Sequence, residues 1–132
     1  MAGSGASPGG VSTVRLDGEV PRVEVGEGIQ VRHVVGQQLM MRVIDLPAES
    51  AVPIDELEEE HIVIVTSGTV RVTQGDRDWD LGVEGVAMVR PSRGFALAAF
   101  GGPARCLMAS TPLNVGLVRD LLDLEHADHG FD

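Results

Sequence analysis

Across residues 14–108 the sequence repeats one theme, short runs of Val, Ile, Leu and Met closed by Gly, Pro or Asp at intervals of roughly 8 to 12 residues. Runs this short cannot present the apolar stripe of a stable helix, but they suit strands that bury one face. The pattern predicts strands at 14–16, 22–25, 29–35, 38–46, 60–66, 69–73, 78–81, 86–89, 95–100 and 106–110. Gly68, Gly75-Asp76, Gly82, Gly85, Gly94 and Gly101-Gly102 fall between runs, where hairpins and bulges need positive φ. Many short antiparallel strands without intervening helices define an all-β sandwich or barrel. One segment departs from the theme. After Pro112, Asn114 is placed to cap an amphipathic C-terminal α-helix over 114–124, with Val115, Val118, Leu121, Leu122 and Leu124 as its apolar stripe. Such a helix would cover the sheet or a partner subunit.

A chain of 132 residues is one domain, large enough to build its core without staples. The single cysteine, Cys106, excludes an internal disulfide. Residues 1–12 are almost entirely Gly, Ser, Ala and Pro and read as a flexible leader, leaving 13–112 for the barrel and 113–132 for the helix and tail. Twenty acidic against ten basic residues give a net charge of −10, which repels phosphate backbones and argues against a nucleic-acid partner. No apolar run approaches the roughly 20 residues of a spanning helix, so no membrane partner is expected. The first ten residues lack the basic region and apolar run of a signal peptide, so a cytoplasmic location is expected.

The stretch SGTVRVTQGDRDWDLGVEGVAMVRPSRG, at 67–94, alternates glycine and strand as cupins do, and residues 46–112 resemble a cupin domain. The resemblance implies a double-stranded β-helix, the jelly-roll barrel. The first cupin motif, G-x5-H-x-H-x3/4-E-x6-G, closes most naturally on Gly68, which puts His61 at the family's glutamate position. The two histidine positions then fall on Asp55 and Leu57, or on Ile54 and Glu56 with the longer spacer, and the opening glycine falls on Glu49 or Ala48. The second motif, G-x5-P-x-G-x2-H-x3-N, fits Gly85 and Pro91, but its next glycine is displaced to Gly94 and no histidine occupies 95–97. The three-His-one-Glu metal site of many cupins is therefore dismantled, and neither a resident metal nor another cofactor is expected.

Regular alternation puts Asp55, Leu57, Glu59, His61, Val63 and Val65 on one face, which the cupin register turns toward the interior. His61 oriented by Asp55 or Glu59 is the candidate general base, against the alternative of a hydrogen-bonded barrel residue without chemistry. A rebuilt metal site would draw on the same three residues. Glu58, Glu59 and Glu60 also read as a solvated charge run, and His126-x-x-His129 as a fraying tail. Arg42 sits among apolar neighbours; pointed inward it must find a carboxylate or an anionic ligand. Arg90 and Arg93 flank Pro91 near the expected mouth, where they could gate an acidic or carbonyl-bearing substrate. Met40 or Met41, Val63, Val65, Met88, Phe95, Leu97 and Met108 are the apolar cavity candidates, with methionines that mould to an irregular ligand. Trp79 is expected in sheet packing or a subunit contact, and His33 and Cys106 as packed residues.

The resemblance implies a metal-independent protein enclosing a mostly apolar small molecule, as a cyclase, isomerase or lyase of bacterial specialised metabolism with His61 as acid/base. The lysine-free, Gly/Val/Arg/Ala-rich sequence suits a high-GC bacterium. The alternatives are a non-catalytic small-molecule-binding or sensor cupin, a structural dimerisation module, and a metal-dependent cupin with a rebuilt site. A homodimer is expected from the resemblance, since sheet edges need covering.

Overall fold

The computed structural model describes residues 10–55, 59–91 and 94–111. The expected helix at 114–124, the tail histidines, Arg93, Glu56, Leu57 and Glu58 lie outside them. Ten strands follow in order: β1 (Val23–Glu24), β2 (Gln30–Val35), β3 (Met40–Leu46), β4 (Ala51–Ile54), β5 (Glu60–Ser67), β6 (Val70–Gln74), β7 (Arg77–Leu81), β8 (Val86–Val89), β9 (Phe95–Ala99) and β10 (Ala104–Thr111). They form two antiparallel sheets, one of six strands in the order β1-β2-β3-β10-β5-β8 and one of four in the order β4-β9-β6-β7. From β3 onward the chain crosses repeatedly between the sheets, keeping only the β6–β7 hairpin within one. Wound this way, two ribbons close around a common interior, which makes the all-β double-stranded β-helix.

Two local expectations need correction. No strand forms at 14–16; a short helical turn occupies Leu16–Glu19 instead, with Gly18 at a φ of 95°. Conversely, β4 was not legible, because Pro53 interrupts its apolar pattern. Pro53 is tolerated because β4 is an edge strand, paired on one side only with β9. Its burial alternates as expected of a half-buried strand, with Val52 and Ile54 inward.

The core lies between the sheets, and alternation decides what enters it. From the large sheet come Val31, Ile44, Leu46, Val63, Val65, Ala104, Cys106 and Met108; from the small one, Val52, Ile54, Val70, Val72, Phe95, Leu97 and Ala99. At about 25 cal/mol per Å² of apolar surface removed from water, these chains supply most of the folding drive. The β6–β7 hairpin turns through Gly75-Asp76, with Gly75 at a φ of 63°, the sign that tight hairpin loops require. On the outer face, Arg32 and Val43 pair across strands and are nevertheless buried, with Arg32 Nη2 3.4 Å from Asp45 Oδ2.

Candidate functional site

The interior is not uniformly apolar. One rung of the large sheet runs Met40, Ser110, His61, Val89 across β3, β10, β5 and β8, and its two polar members are each only 1% exposed. Ser110 Oγ lies 2.7 Å from His61 Nδ1 and accepts a 3.3 Å hydrogen bond from Arg42 Nη2, an inward guanidinium on the neighbouring rung. These are its two partners among the described residues. A guanidinium only donates, so the hydroxyl proton has one acceptor available, Nδ1. With Nδ1 taken as the acceptor of that hydroxyl, the ring proton is assigned to Nε2. Whatever meets Nε2 meets a donor. The His61 ring also stands against Phe95, with centroids 5.4 Å apart and planes tilted by 59°.

This differs from the sequence expectation, in which Asp55 or Glu59 oriented His61. Strand β4 ends at Ile54 in the small sheet and β5 begins at Glu60 in the large one, so alternation cannot be counted through 55–65. Asp55 is exposed, with Oδ1 beside Gly94. Glu59 is buried, but its Oε1 has no hydrogen-bond partner among the described residues. Among the described residues no hydrogen bond joins His61 to Asp55 or Glu59, and its Nδ1 neighbour, Ser110, lies 49 residues away in sequence. No pattern near His61 in the sequence points to it.

Among the described residues no group of three His, Cys, Asp or Glu side chains converges to hold a metal ion. The described residues at this rung, one histidine with a serine and an arginine, do not supply the donor set of the metal site in many cupins.

A cleft of about 630 Å³ opens where β7 of the small sheet faces β8 of the large one. Val72, Trp79, Leu81, Ala87, Val89 and Phe95 provide its apolar wall, and Gln74, Arg77 and Arg90 its polar groups. Phe95, packed against the His61 ring, and Val89, the cross-strand partner of His61, both also line this cleft. Of the other apolar candidates, Val63, Leu97 and Met108 are fully buried core residues that do not line the cleft. Met88 is 73% exposed and pairs with Ile62 on the outer face, meeting the cleft only at its rim. Met41 also belongs to the outer face, opposite Val34 and Ala109; Met40 is the inward methionine. Arg77, Trp79 and Leu81 were missed as cleft residues, although their i, i+2, i+4 spacing was the available signal.

Cys106 packs in the core, where burial, with the Asp45 charge adding to it, raises the thiol to about 12. The thiolate is the reactive form, so Cys106 has no nucleophilic role in the native protein. Ellman's reagent is expected to leave the folded protein unlabelled and to titrate one thiol after unfolding; rapid native labelling would place Cys106 at an opening of the core.

Two sheets wound as a double-stranded β-helix, with an inward polar rung and a cleft at one edge, define the cupin class of barrel. By sequence, no protein-family model and no curated protein matches the chain. By structure it is similar to an RmlC-like cupin from Shewanella frigidimarina, with a TM-score of 0.68 at 11% identity over 78% of this chain and 93% of that one. It is similar to KdgF from a Halomonas species, with a TM-score of 0.66 at 15% identity over 74% and 90% of the two chains. The polyketide cyclase RemF from Streptomyces resistomycificus gives a TM-score of 0.66 at 14% identity over 76% and 79%. The chain has a cupin fold. No helix among the described residues is long and apolar enough to cross a membrane.

Proposed function

We propose that this protein is a metal-independent small-molecule-binding cupin whose ligand enters the cleft between β7 and β8. The observation that carries the reading is the cleft itself. Its volume of about 630 Å³ lies within the roughly 300–1,000 Å³ typical of ligand sites, and its walls combine apolar side chains with a few polar groups. The neutral fluorophore N-phenyl-1-naphthylamine tests it. Saturable binding with a stoichiometry near one is expected, weakened roughly tenfold by Leu81→Glu, which puts a desolvated charge on the apolar wall. Unsaturable binding, or binding indifferent to that substitution, removes the cleft as the site.

A catalytic version, as a cyclase, isomerase or lyase, is favoured by the position of His61 behind Phe95, with one ring nitrogen held by Ser110 and the other carrying the proton. The likeness to a polyketide cyclase supports the same direction. In that version the ligand displaces Phe95 and accepts a hydrogen bond from Nε2, which stabilises negative charge developing on a ligand oxygen, while the surrounding core limits water. His61→Ala then costs at least about tenfold in turnover without weakening binding at the cleft wall. Binding without conversion leaves the sensor reading.

A further inference from the structure

We propose that the outer face of the six-stranded sheet is a self-association surface, on which a second copy of this chain packs face to face with its strands reversed. An apolar pattern on the side turned away from the core carries this. A sheet with one solvated face alternates apolar inward and polar outward. The β6–β7 hairpin of the small sheet does so, with Arg71, Thr73, Asp78 and Asp80 outward. The large sheet does not. Its registers set two outward rungs side by side across β10, β5 and β8: Leu107, Ile64 and Val86, then Ala109, Ile62 and Met88.

All six are apolar, in a chain whose net charge is −10. Charged groups stand at the margins of the face instead. Asp45 and Arg105, paired with each other, lie beyond the first rung, and Glu60 lies beyond the second. Arg90, which has an interaction of its own, follows β8 at the Glu60 end. Exposure shows which part of the face is open. Arg32 and Val43 are buried at the β2–β3 side, whereas Ile62 is 45%, Val86 46% and Met88 73% exposed.

The pattern is self-complementary, which selects a second copy as the occupant. A two-fold axis across the strands, between the two rungs, lays the first rung of one copy on the second rung of the other. Leu107 then meets Ala109, Val86 meets Met88 and Ile64 meets Ile62, so that large side chains face small ones, as sheets packed about 10 Å apart require. From strand and residue spacings, the face from β3 to β8 and from Arg105 to Thr111 spans about 19 by 27 Å, a footprint of about 500 Å². Side-chain relief raises its accessible area toward the roughly 800 Å² per partner of a stable interface.

Sedimentation velocity of the full chain from about 1 to about 100 µM tests this, and a dimer is expected within that range. Ile62→Glu and Met88→Glu should each weaken it by roughly 100-fold or more, because the two-fold axis places two introduced carboxylates in every interface. Both side chains are exposed, so both variants should keep the native far-ultraviolet spectrum. Phe100→Glu is the control, since Phe100 is 48% exposed but lies just past β9 of the small sheet, and this change should leave the dimer intact. A chain that stays monomeric at about 100 µM overturns the proposal. If Ile62→Glu then lowers the urea midpoint, the face is covered from within the chain, for which the helix expected at 114–124 is the candidate. A dimer that survives either Ile62→Glu or Met88→Glu forms elsewhere, the free edge of β8 being one place, and overturns it as well.

Discussion

Gly68→Ala is expected to destabilise the protein by about 3 kcal/mol or more, the largest effect of any single methyl addition considered. Gly68 sits at the corner where the chain leaves β5 in one sheet for β6 in the other, at a φ of 75°. An alanine in the left-handed region costs about 1–2 kcal/mol by itself. The added Cβ would also collide with the carbonyl oxygen of Pro103 and stand 2.9 Å from Cα of Ala104, both backbone atoms that cannot rotate away. Relief requires moving the start of β10 near Arg105 and Cys106, where its register with β5 already shifts. Urea denaturation checks this, through a lower midpoint at an unchanged slope. Gly82→Ala is the control, because its Cβ meets nothing within 4 Å, and it should change stability by no more than about 0.5 kcal/mol. A loss below about 1 kcal/mol for Gly68→Ala would mean that the corner shifts freely.

Gly68 also shows why so much of the fold was legible. The barrel is built from short strands whose ends are fixed by residues with few conformational alternatives, so glycine punctuation and period-two burial carry nearly the whole architecture. The strand expected at 86–89 forms over those four residues, and those expected at 60–66 and 95–100 end within a residue of the observed bounds. What failed were elements that depend on position in the sheet. Pro53 reads as a breaker unless its strand is known to lie on an edge, and edge or centre is a tertiary property. Residues 14–16 have the composition of a strand, but the chain there forms the turn at Leu16–Glu19.

The site was less legible for the same reason. Alternation within β5 turns His61, Val63 and Val65 toward the interior, where they are buried. Extending it back to Asp55 assumed one continuous strand, and the sheet change between β4 and β5 removes that continuity. The partner that matters chemically, Ser110, becomes a neighbour of His61 only through the β5–β10 register. A lone serine at the end of an apolar run carries no sequence signal of such a role. Trp79 is the reverse case: its signal, the alternation of Arg77, Trp79 and Leu81, was present, yet a tryptophan in a hairpin more often packs on its own sheet than walls a cleft.

Ser110→Ala is expected to have two effects, and together they distinguish an orienting residue from a packing one. Loss of the hydroxyl withdraws a buried acceptor from Arg42 and the buried donor to His61 Nδ1, at a cost of about 1–3 kcal/mol. A stability loss alone would also follow from a merely structural serine. The second effect would not. In the native protein, nitrogen NMR of His61 should show Nδ1 as the unprotonated, pyridine-like nitrogen and Nε2 as the protonated one. In Ser110→Ala the ring loses that donor, and the Nδ1 signal should move away from its native value. Ser110→Thr keeps the hydroxyl and should restore the native nitrogen pattern, even though its extra methyl in a site 1% exposed costs some stability. A native spectrum with the proton on Nδ1 would mean that Ser110 accepts from both neighbours. Nε2 would then be the basic nitrogen, and the ring would change from hydrogen-bond donor to acceptor toward a ligand.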